Sequence, residues 1–299
     1  MRLVTFTDNR STRIGVVDGS NILDLAAAAP ELPTDLRLLL EGGKPAMDRV
    51  RAIAKGGGAN IALDSVRLEA PIRSSRKFLA LAMNYFMLEP WPEMSQADFE
   101  ANQAKQRQQQ ADNHQWWYNK QVTSITGPYD PIHLPPHGKE EVYFEVELAF
   151  VIGQRCRDVS VEDAASVIAG YTVVNDVTQG DWCRTAMTLS MGKSYDSFGP
   201  QGPWLMTPDE LGDPHNLKLT GSVNGEAMQS GSTKDMLFNC HELVAWASRR
   251  FTLEPGDVVT TGMPAVPMKP LSDGDLVRCE VEGLGAIENR ATDAPLPAI

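Results

Sequence analysis

The chain has 299 residues, of which 42% are hydrophobic and 22% charged, a balance that suits one or two folded cores and argues against disorder. A formal net charge of -12 argues against nucleic acid or an anionic membrane as a partner, since both would be repelled at long range. An anionic substrate would need a local cation or a metal. No apolar run approaches the ~18 to 20 residues of a membrane span, and MRLVTFTDNRSTRIG lacks the apolar core of a signal peptide, so a cytoplasmic protein is expected.

The first 24 residues alternate β-branched residues with turn formers at Asp8-Asn9 and Asp18-Gly19, as hairpins do. Short helical patterns follow near Asp35 to Ala54, then Gly56 to Gly58, and a strand-like Ser65 to Leu68 ahead of Pro71. This divides the chain into a small β-rich N-terminal domain, residues 1–70, and a main domain, residues 71–299. From Ser95 to Gln115 the composition turns to Gln, Ala and Asn, with Ser95 and Asp98 spaced as a helix N-cap box. Such a helix has no wide apolar face to bury, so residues 95–115 read as a surface flap or lid, with a disordered insertion as the alternative. After residue 140 short strands alternate with turn residues, interrupted by helical patterns at Ser160 to Ala169 and Cys240 to Arg250. The fold class expected is α+β and β-rich, a mixed β-roll. Cys156, Cys183, Cys240 and Cys279 are widely spaced with no CxxC pair, and are expected to be free thiols. No GxGxxG, Walker or GxSxG motif is present, and no serine elbow accompanies the five histidines.

Residues Tyr143 to Ile152 read Y-F-E-V-E-L-A-F-V-I. Period two puts Glu145 and Glu147 on one side of a strand, ~7 Å apart. Two such carboxylates stay ionised only if water or a cation compensates, so either a solvated face or a metal site fits. Gly170 to Asp176, G-Y-T-V-V-N-D, is an apolar strand ending in a third acid, and a strand, helix, strand connection can return it beside the first. Three carboxylates without His or Cys select a hard ion, Mg2+, Mn2+ or Ca2+.

With these segments the sequence resembles the fumarylacetoacetate hydrolase (FAH) family. The likeness continues through G-K-S-Y-D-S-F-G-P-Q-G-P-W at Gly192 to Trp204, V-N-G-E at Val223 to Glu226 and S-T-K-D-M at Ser232 to Met236. It ends with L-E-P-G-D at Leu253 to Asp257 and T-G-M-P at Thr261 to Pro264. The resemblance implies a FAH-type β-roll catalytic domain, a homodimer, and Mg2+ or Mn2+ on Glu145, Glu147 and Asp176. It also implies a small oxygen-rich substrate bound through adjacent oxygens and passing through an enolate. Lys193 and Lys120 correspond to family lysines near the metal, and Tyr85, Arg184, Thr261 and Met263 fall where substrate contacts are expected.

The pattern breaks at particular residues. Leu88 stands where family hydrolases carry the His that activates water with a nearby Glu, and leucine moves no proton. Glu89, Glu93 and His114 are the candidate replacements, with Glu89 foremost. Gly180 takes the place of an arginine, Cys183 of a glutamine and Met263 of a threonine, so a more apolar pocket is expected, lined by Trp182, Met263, Trp116 and Trp117, with Arg184 restoring part of the lost charge. The leading expectation is a metal-dependent hydrolase of a C-C bond in a 1,3-dicarbonyl or acylpyruvate-like substrate. The alternatives are an enolising lyase or isomerase (decarboxylase, dehydratase or tautomerase), which Leu88 favours, and a non-catalytic metal-binding protein.

Overall fold

The computed structural model describes residues 1–9, 11–186 and 188–296. It is an α+β fold built on a twelve-stranded mixed sheet and a five-stranded sheet. Along the large sheet the N-terminal strands Thr12–Asp18 and Arg2–Thr7 join Gly199–Met206, followed by Ile168–Asn175, Val146–Ile152, Val258–Thr260, Phe78–Ala82 and Trp116–Lys120. Arg2 pairs with Met206 and Leu3 with Leu205, so the N-terminal hairpins extend the same sheet that carries the acidic strands. The expected turn after Asp18 is a two-residue connection to Asn21, with Gly19 at φ +58.

Val146–Ile152 and its neighbour Ile168–Asn175 are buried on both faces. On one, Leu148, Phe150 and Val173 meet Leu219, Val277, Cys279 and Val281 of the five-stranded sheet. On the other, Ala149, Val151 and Val174 share a core with Leu36, Leu39 and Val50 from the helices Leu36–Glu41 and Gly43–Lys55. These helices occupy the expected Asp35 to Ala54 region, the first capped by Asp35, whose side chain accepts from Leu38 N at 3.1 Å. The helix Cys240–Ser248 also matches its sequence pattern and starts in a capping box formed by Asn239 and Glu242. All four cysteines are free, and no helix of the described residues is long and apolar enough to cross a membrane.

Two expectations are corrected. The helix read at Ser160 to Ala169 is a single 3-10 turn, Ala164–Val167, because the β-branched run from Val167 onward is claimed by Ile168–Asn175. Ser160 does accept from Asp163 N at 3.1 Å, so the cap forms without a helix to follow it. Likewise Tyr143 to Ile152 is not one strand. Val142–Tyr143 pairs with Thr178–Gln179, and only Val146–Ile152 joins the large sheet. At the break, Gln229 bridges the chain, accepting from Val146 N at 2.9 Å and donating to Phe144 O at 2.7 Å.

The polar segment forms a helix, Gln96–Ala111, capped by Ser95, which accepts from Asp98 N at 3.1 Å. Its glutamines do what apolar residues do elsewhere. Gln103 donates to Met87 O (3.0 Å), and Gln106 donates to Tyr85 O (2.9 Å) and accepts from Met87 N (3.0 Å). Gln109 reaches Met83 O at 3.3 Å and Gln110 reaches Leu237 O at 2.7 Å. At this spacing they lie on one helical face, with Gln106 buried. Gln106→Ala orphans two backbone groups at about 1–3 kcal/mol each. Amide exchange at Met87 should therefore accelerate roughly tenfold or more, while amides of Val146–Ile152 stay protected, as read by hydrogen exchange.

Candidate metal centre

Because Val146–Ile152 and Ile168–Asn175 are antiparallel, with Val146 opposite Asn175, the start of one strand lies beside the end of the other. Glu145 and Glu147 at the first end thereby meet Asp176 at the second. One ligand oxygen from each lies within 4.8 Å of the others, and the residues are 8%, 1% and 0% exposed. The third wall is the loop after Val258–Thr260. Thr261 binds Leu148 O through its amide (3.0 Å) and hydroxyl (2.9 Å), and Gly262 N donates to Glu147 Oε2 at 2.8 Å. Gly262 has φ +87, and a Cβ there would meet Leu81 O at 3.1 Å and Asn84 Cβ at 3.2 Å, so the turn requires glycine. Asn84 fixes this loop from below, donating to Thr261 O (2.8 Å) and Phe238 O (3.0 Å) and accepting from Phe238 N (2.9 Å).

Glu145 and Glu147 are each held through one oxygen, Asp176 through both. Glu145 Oε1 accepts from Thr178 (2.6 Å) and Lys193 (2.7 Å), and Glu147 Oε2 accepts from Gly262. Asp176 takes Lys120 on Oδ1 (2.6 Å), and Lys193 (2.7 Å) and the Tyr118 hydroxyl on Oδ2. Glu147 Oε1 is buried and has no hydrogen-bond partner among the described residues. An orphaned carboxylate oxygen in a ring of acids, with no softer donor in the set, fits a hard divalent cation.

The two lysines differ in what they have left to give. The Lys120 ammonium ion-pairs with Asp176 Oδ1 and donates to Lys193 O and, at 3.4 Å, to Val177 O, so it is engaged on three sides in a fully buried position. Lys193 binds Glu145 and Asp176 and keeps one hydrogen. Burial lowers the Lys120 pKa, with Asp176 opposing it. For Lys193 burial also lowers, but Asp176 and Glu145 outweigh it and hold the group above its ordinary value. Asp176 is the mirror case, where burial raises but Lys120 and Lys193 keep it below the usual range. Glu147, with no ammonium bonded to it, is pushed well above the carboxylate range by burial and then by Asp176 and Glu145.

The remaining sequence candidates lie further out. Tyr85 is buried and borders a cavity of about 440 Å3 with Leu88 and Glu89 on the wall. Met263 is half-buried beside Gly262. Glu93 and His114 are exposed, the His114 ring 5.0 Å from Trp116. Among the described residues no histidine hydrogen-bonds or ion-pairs with the three acids or the two lysines. Trp116, Trp117 and Cys183 line a separate cavity of about 280 Å3 that Tyr118 also borders, whereas Trp182 and Met263 line neither cavity. Trp117 is also core packing, stacked on Trp246 at 5.3 Å. Sequence reasoning missed Tyr118, Thr178, Gly262 and Asn84. Tyr118 was within reach, since period two puts it on the same strand face as Lys120.

A family model described as fumarylacetoacetate (FAA) hydrolase, C-terminal, matches residues 92–292. The mitochondrial oxaloacetate tautomerase fahd2 of Xenopus laevis is 38% identical over 301 residues, spanning 97% of this chain and 89% of that one. The chain belongs to the fumarylacetoacetate hydrolase family. Among solved structures of this FAH fold, maleylpyruvate hydrolase from Sphingobium sp. SYK-6, in complex with manganese (II) and pyruvate, is 29% identical with a TM-score of 0.79, covering 98% of this chain and 99% of that one. The 5-carboxymethyl-2-hydroxymuconate delta-isomerase of Mycobacterium smegmatis is 30% identical with a TM-score of 0.74 and covers 98% of each chain. The FAH family thus holds hydrolases, isomerases and tautomerases on one scaffold.

At Gly180, where the family resemblance implies an arginine, neighbouring side chains take up the space. A Cβ on Gly180 would meet the Tyr143 ring at 2.8 Å and lie 3.3 Å from Arg184 Nη1, so Tyr143 and Arg184 fill the space where a side chain would begin. The Arg184 guanidinium is itself taken by Glu141, with Asp181 at 3.8 Å.

Two outcomes test the centre. Because Glu147 holds its proton above the usual carboxylate range, a divalent ion must displace it. Apparent Mg2+ or Mn2+ affinity should rise as pH increases toward the metal-free Glu147 pKa, with release of about one proton. Calorimetry in buffers of different ionisation heat reads this directly, and Glu147→Gln should weaken binding at least about 100-fold and remove the proton release. Separately, Lys120→Met leaves Asp176 Oδ1 buried without its cation and should cost about 3–5 kcal/mol of stability, seen as a lowered melting temperature.

Proposed function

We propose that the protein is a divalent-metal-dependent enolising enzyme that interconverts the keto and enol forms of a small 2-oxo acid. The observation that carries this reading is the Lys193 ammonium, which bridges two of the acids and keeps one hydrogen, in a site where, among the described residues, no histidine bonds to the acids or lysines. Glu145, Glu147 and Asp176 are the ligands in this reading, for Mg2+ or Mn2+. A bound ion of that kind supplies Lewis-acid stabilisation of an enolate.

The chain's own groups do the rest. Lys193, held cationic by its two carboxylates, offers its remaining hydrogen to the oxygen on which negative charge develops. Lys120 is a positioning residue, since it is engaged by the Asp176 carboxylate and by the backbone carbonyls of Val177 and Lys193. Glu89, on the cavity wall next to Leu88, is the carboxylate assigned to take the proton from carbon 3. Tautomerisation needs no activated water, which accords with leucine at position 88 and with the tautomerase activity named for the Xenopus relative. A homodimer, implied by the family resemblance, belongs to the same reading.

Hydrolysis of an acylpyruvate-like compound is the second reading, favoured by the likeness to the maleylpyruvate hydrolase structure. The two separate cleanly in isotopic water. With oxaloacetate as the first substrate, the metal-loaded enzyme should accelerate decay of the enol absorbance and exchange of the carbon-3 hydrogens in D2O. No solvent oxygen should enter a new carboxylate in heavy-oxygen water; its incorporation from an acylpyruvate would decide for hydrolysis. Lys193→Met should lower kcat roughly 100-fold or more.

A further inference from the structure

The cavity of about 440 Å3 that Tyr85 borders has one wall from Leu88 and Trp91 and the other from Pro264 to Pro267. Trp91 Nε1 donates to Ala265 O at 3.3 Å, tying the two walls together. Both walls lead back to the metal centre. Pro264 lies two residues beyond Gly262, whose amide holds Glu147, and Tyr85 follows Asn84, which binds Thr261 O.

Its chemistry is one-sided. Leu88 and Trp91 are 59% and 40% exposed, large apolar side chains left facing a concavity. Among the described residues the only charged ones on the walls are Glu89 and Asp235, with no lysine or arginine there to offset them. A second substrate carboxylate placed in this cavity would meet two acids. A flat apolar group meets no such penalty, and the volume suffices, since a cavity of about 150 Å3 already holds benzene.

We propose that this cavity receives an uncharged, flat apolar substituent on carbon 3 of the substrate, making the enzyme selective for arylpyruvate-type 2-oxo acids over dicarboxylates. The inference rests on the enolising reading above and names its substrate class. With Glu89 at the cavity wall, the carbon that loses its proton and the group attached to it face the same opening.

The test uses the metal-loaded enzyme with phenylpyruvate, oxaloacetate and oxalate, the last as a small probe of the metal centre alone. Phenylpyruvate should exceed oxaloacetate in kcat/KM for tautomerisation by at least tenfold. Ala265→Trp, which fills the cavity, should weaken calorimetric binding of phenylpyruvate at least tenfold more than binding of oxalate. Leu88→Asp, at an exposed side chain that tolerates charge, should act in the same direction and guards against a misfolded first variant. Equal loss of phenylpyruvate and oxalate binding in both variants, or a preference for oxaloacetate, overturns the proposal. If neither 2-oxo acid is turned over but phenylpyruvate binding still depends selectively on Ala265 and Leu88, the cavity assignment stands and the enolising reading fails.

Discussion

The site depends on keeping Asp176 ionised in a dry interior. Its carboxylate is fully buried, and only the ammonium groups of Lys120 and Lys193, together with the Tyr118 hydroxyl, make the charge tolerable there. That arrangement has a consequence for the other acids. Three carboxylates face two ammonium groups, so one negative charge lacks a partner. The deficit falls on Glu147, the acid to which neither lysine is bonded, and its pKa rises accordingly. A divalent cation resolves the imbalance more fully than a proton does, because it can engage all three acids at once. The lysines are therefore part of what makes the centre suited to a divalent cation.

Rigidity around this centre comes from polar groups that replace regular strand pairing. Glu145 sits where the strand is broken, its amide bonded to Asn175 Oδ1 at 3.1 Å while Gln229 bridges the residues on either side. Glu147 is fixed by a backbone amide from a left-handed glycine, and the loop carrying that glycine is fixed by Asn84. Side-chain carboxamides can satisfy both a donor and an acceptor of the main chain, so they allow the sheet to stop beside the acids without leaving buried backbone groups unpaired.

The three acids were legible in the sequence because they follow from periodicity and from one antiparallel neighbour, both local or nearly so. The two-sided burial of Val146–Ile152 was legible only in part. Ala149 and Val151 share the odd face with Glu147, which already signals that this face turns from polar to apolar within one strand. The helix assigned to Ser160 to Ala169 failed because the cap signal at Ser160 is real, yet tertiary pairing of the β-branched run outweighs helix propensity. What the sequence could not supply was the contrast between the two lysines. Whether an ammonium has a hydrogen to spare is set by carbonyl oxygens of Val177 and Lys193, and no pattern of side chains reveals where those carbonyls point.

The glutamine-rich helix shows the same limit from the other direction. Its composition predicts an element without an apolar face, and Gln96–Ala111 is one. An apolar helix face would hold its neighbour by area, which tolerates sliding. Carboxamides that bond Tyr85 O, Met87 N and Met87 O fix a register, because a shift of one residue breaks every bond in the row. The net stabilisation per bond is small, about 1 kcal/mol, since each replaces a bond to water. The gain is therefore in position more than in stability. The segment so fixed runs from Met83 to Met87 and leads directly into Leu88, Glu89 and Trp91, which shape the cavity beside the metal centre. With leucine at position 88, where the family resemblance implies a water-activating histidine, the backbone leading into it is still held by three glutamines, Gln103, Gln106 and Gln109. That investment is what a wall of defined shape requires, and a loop that had merely lost its function would not need it.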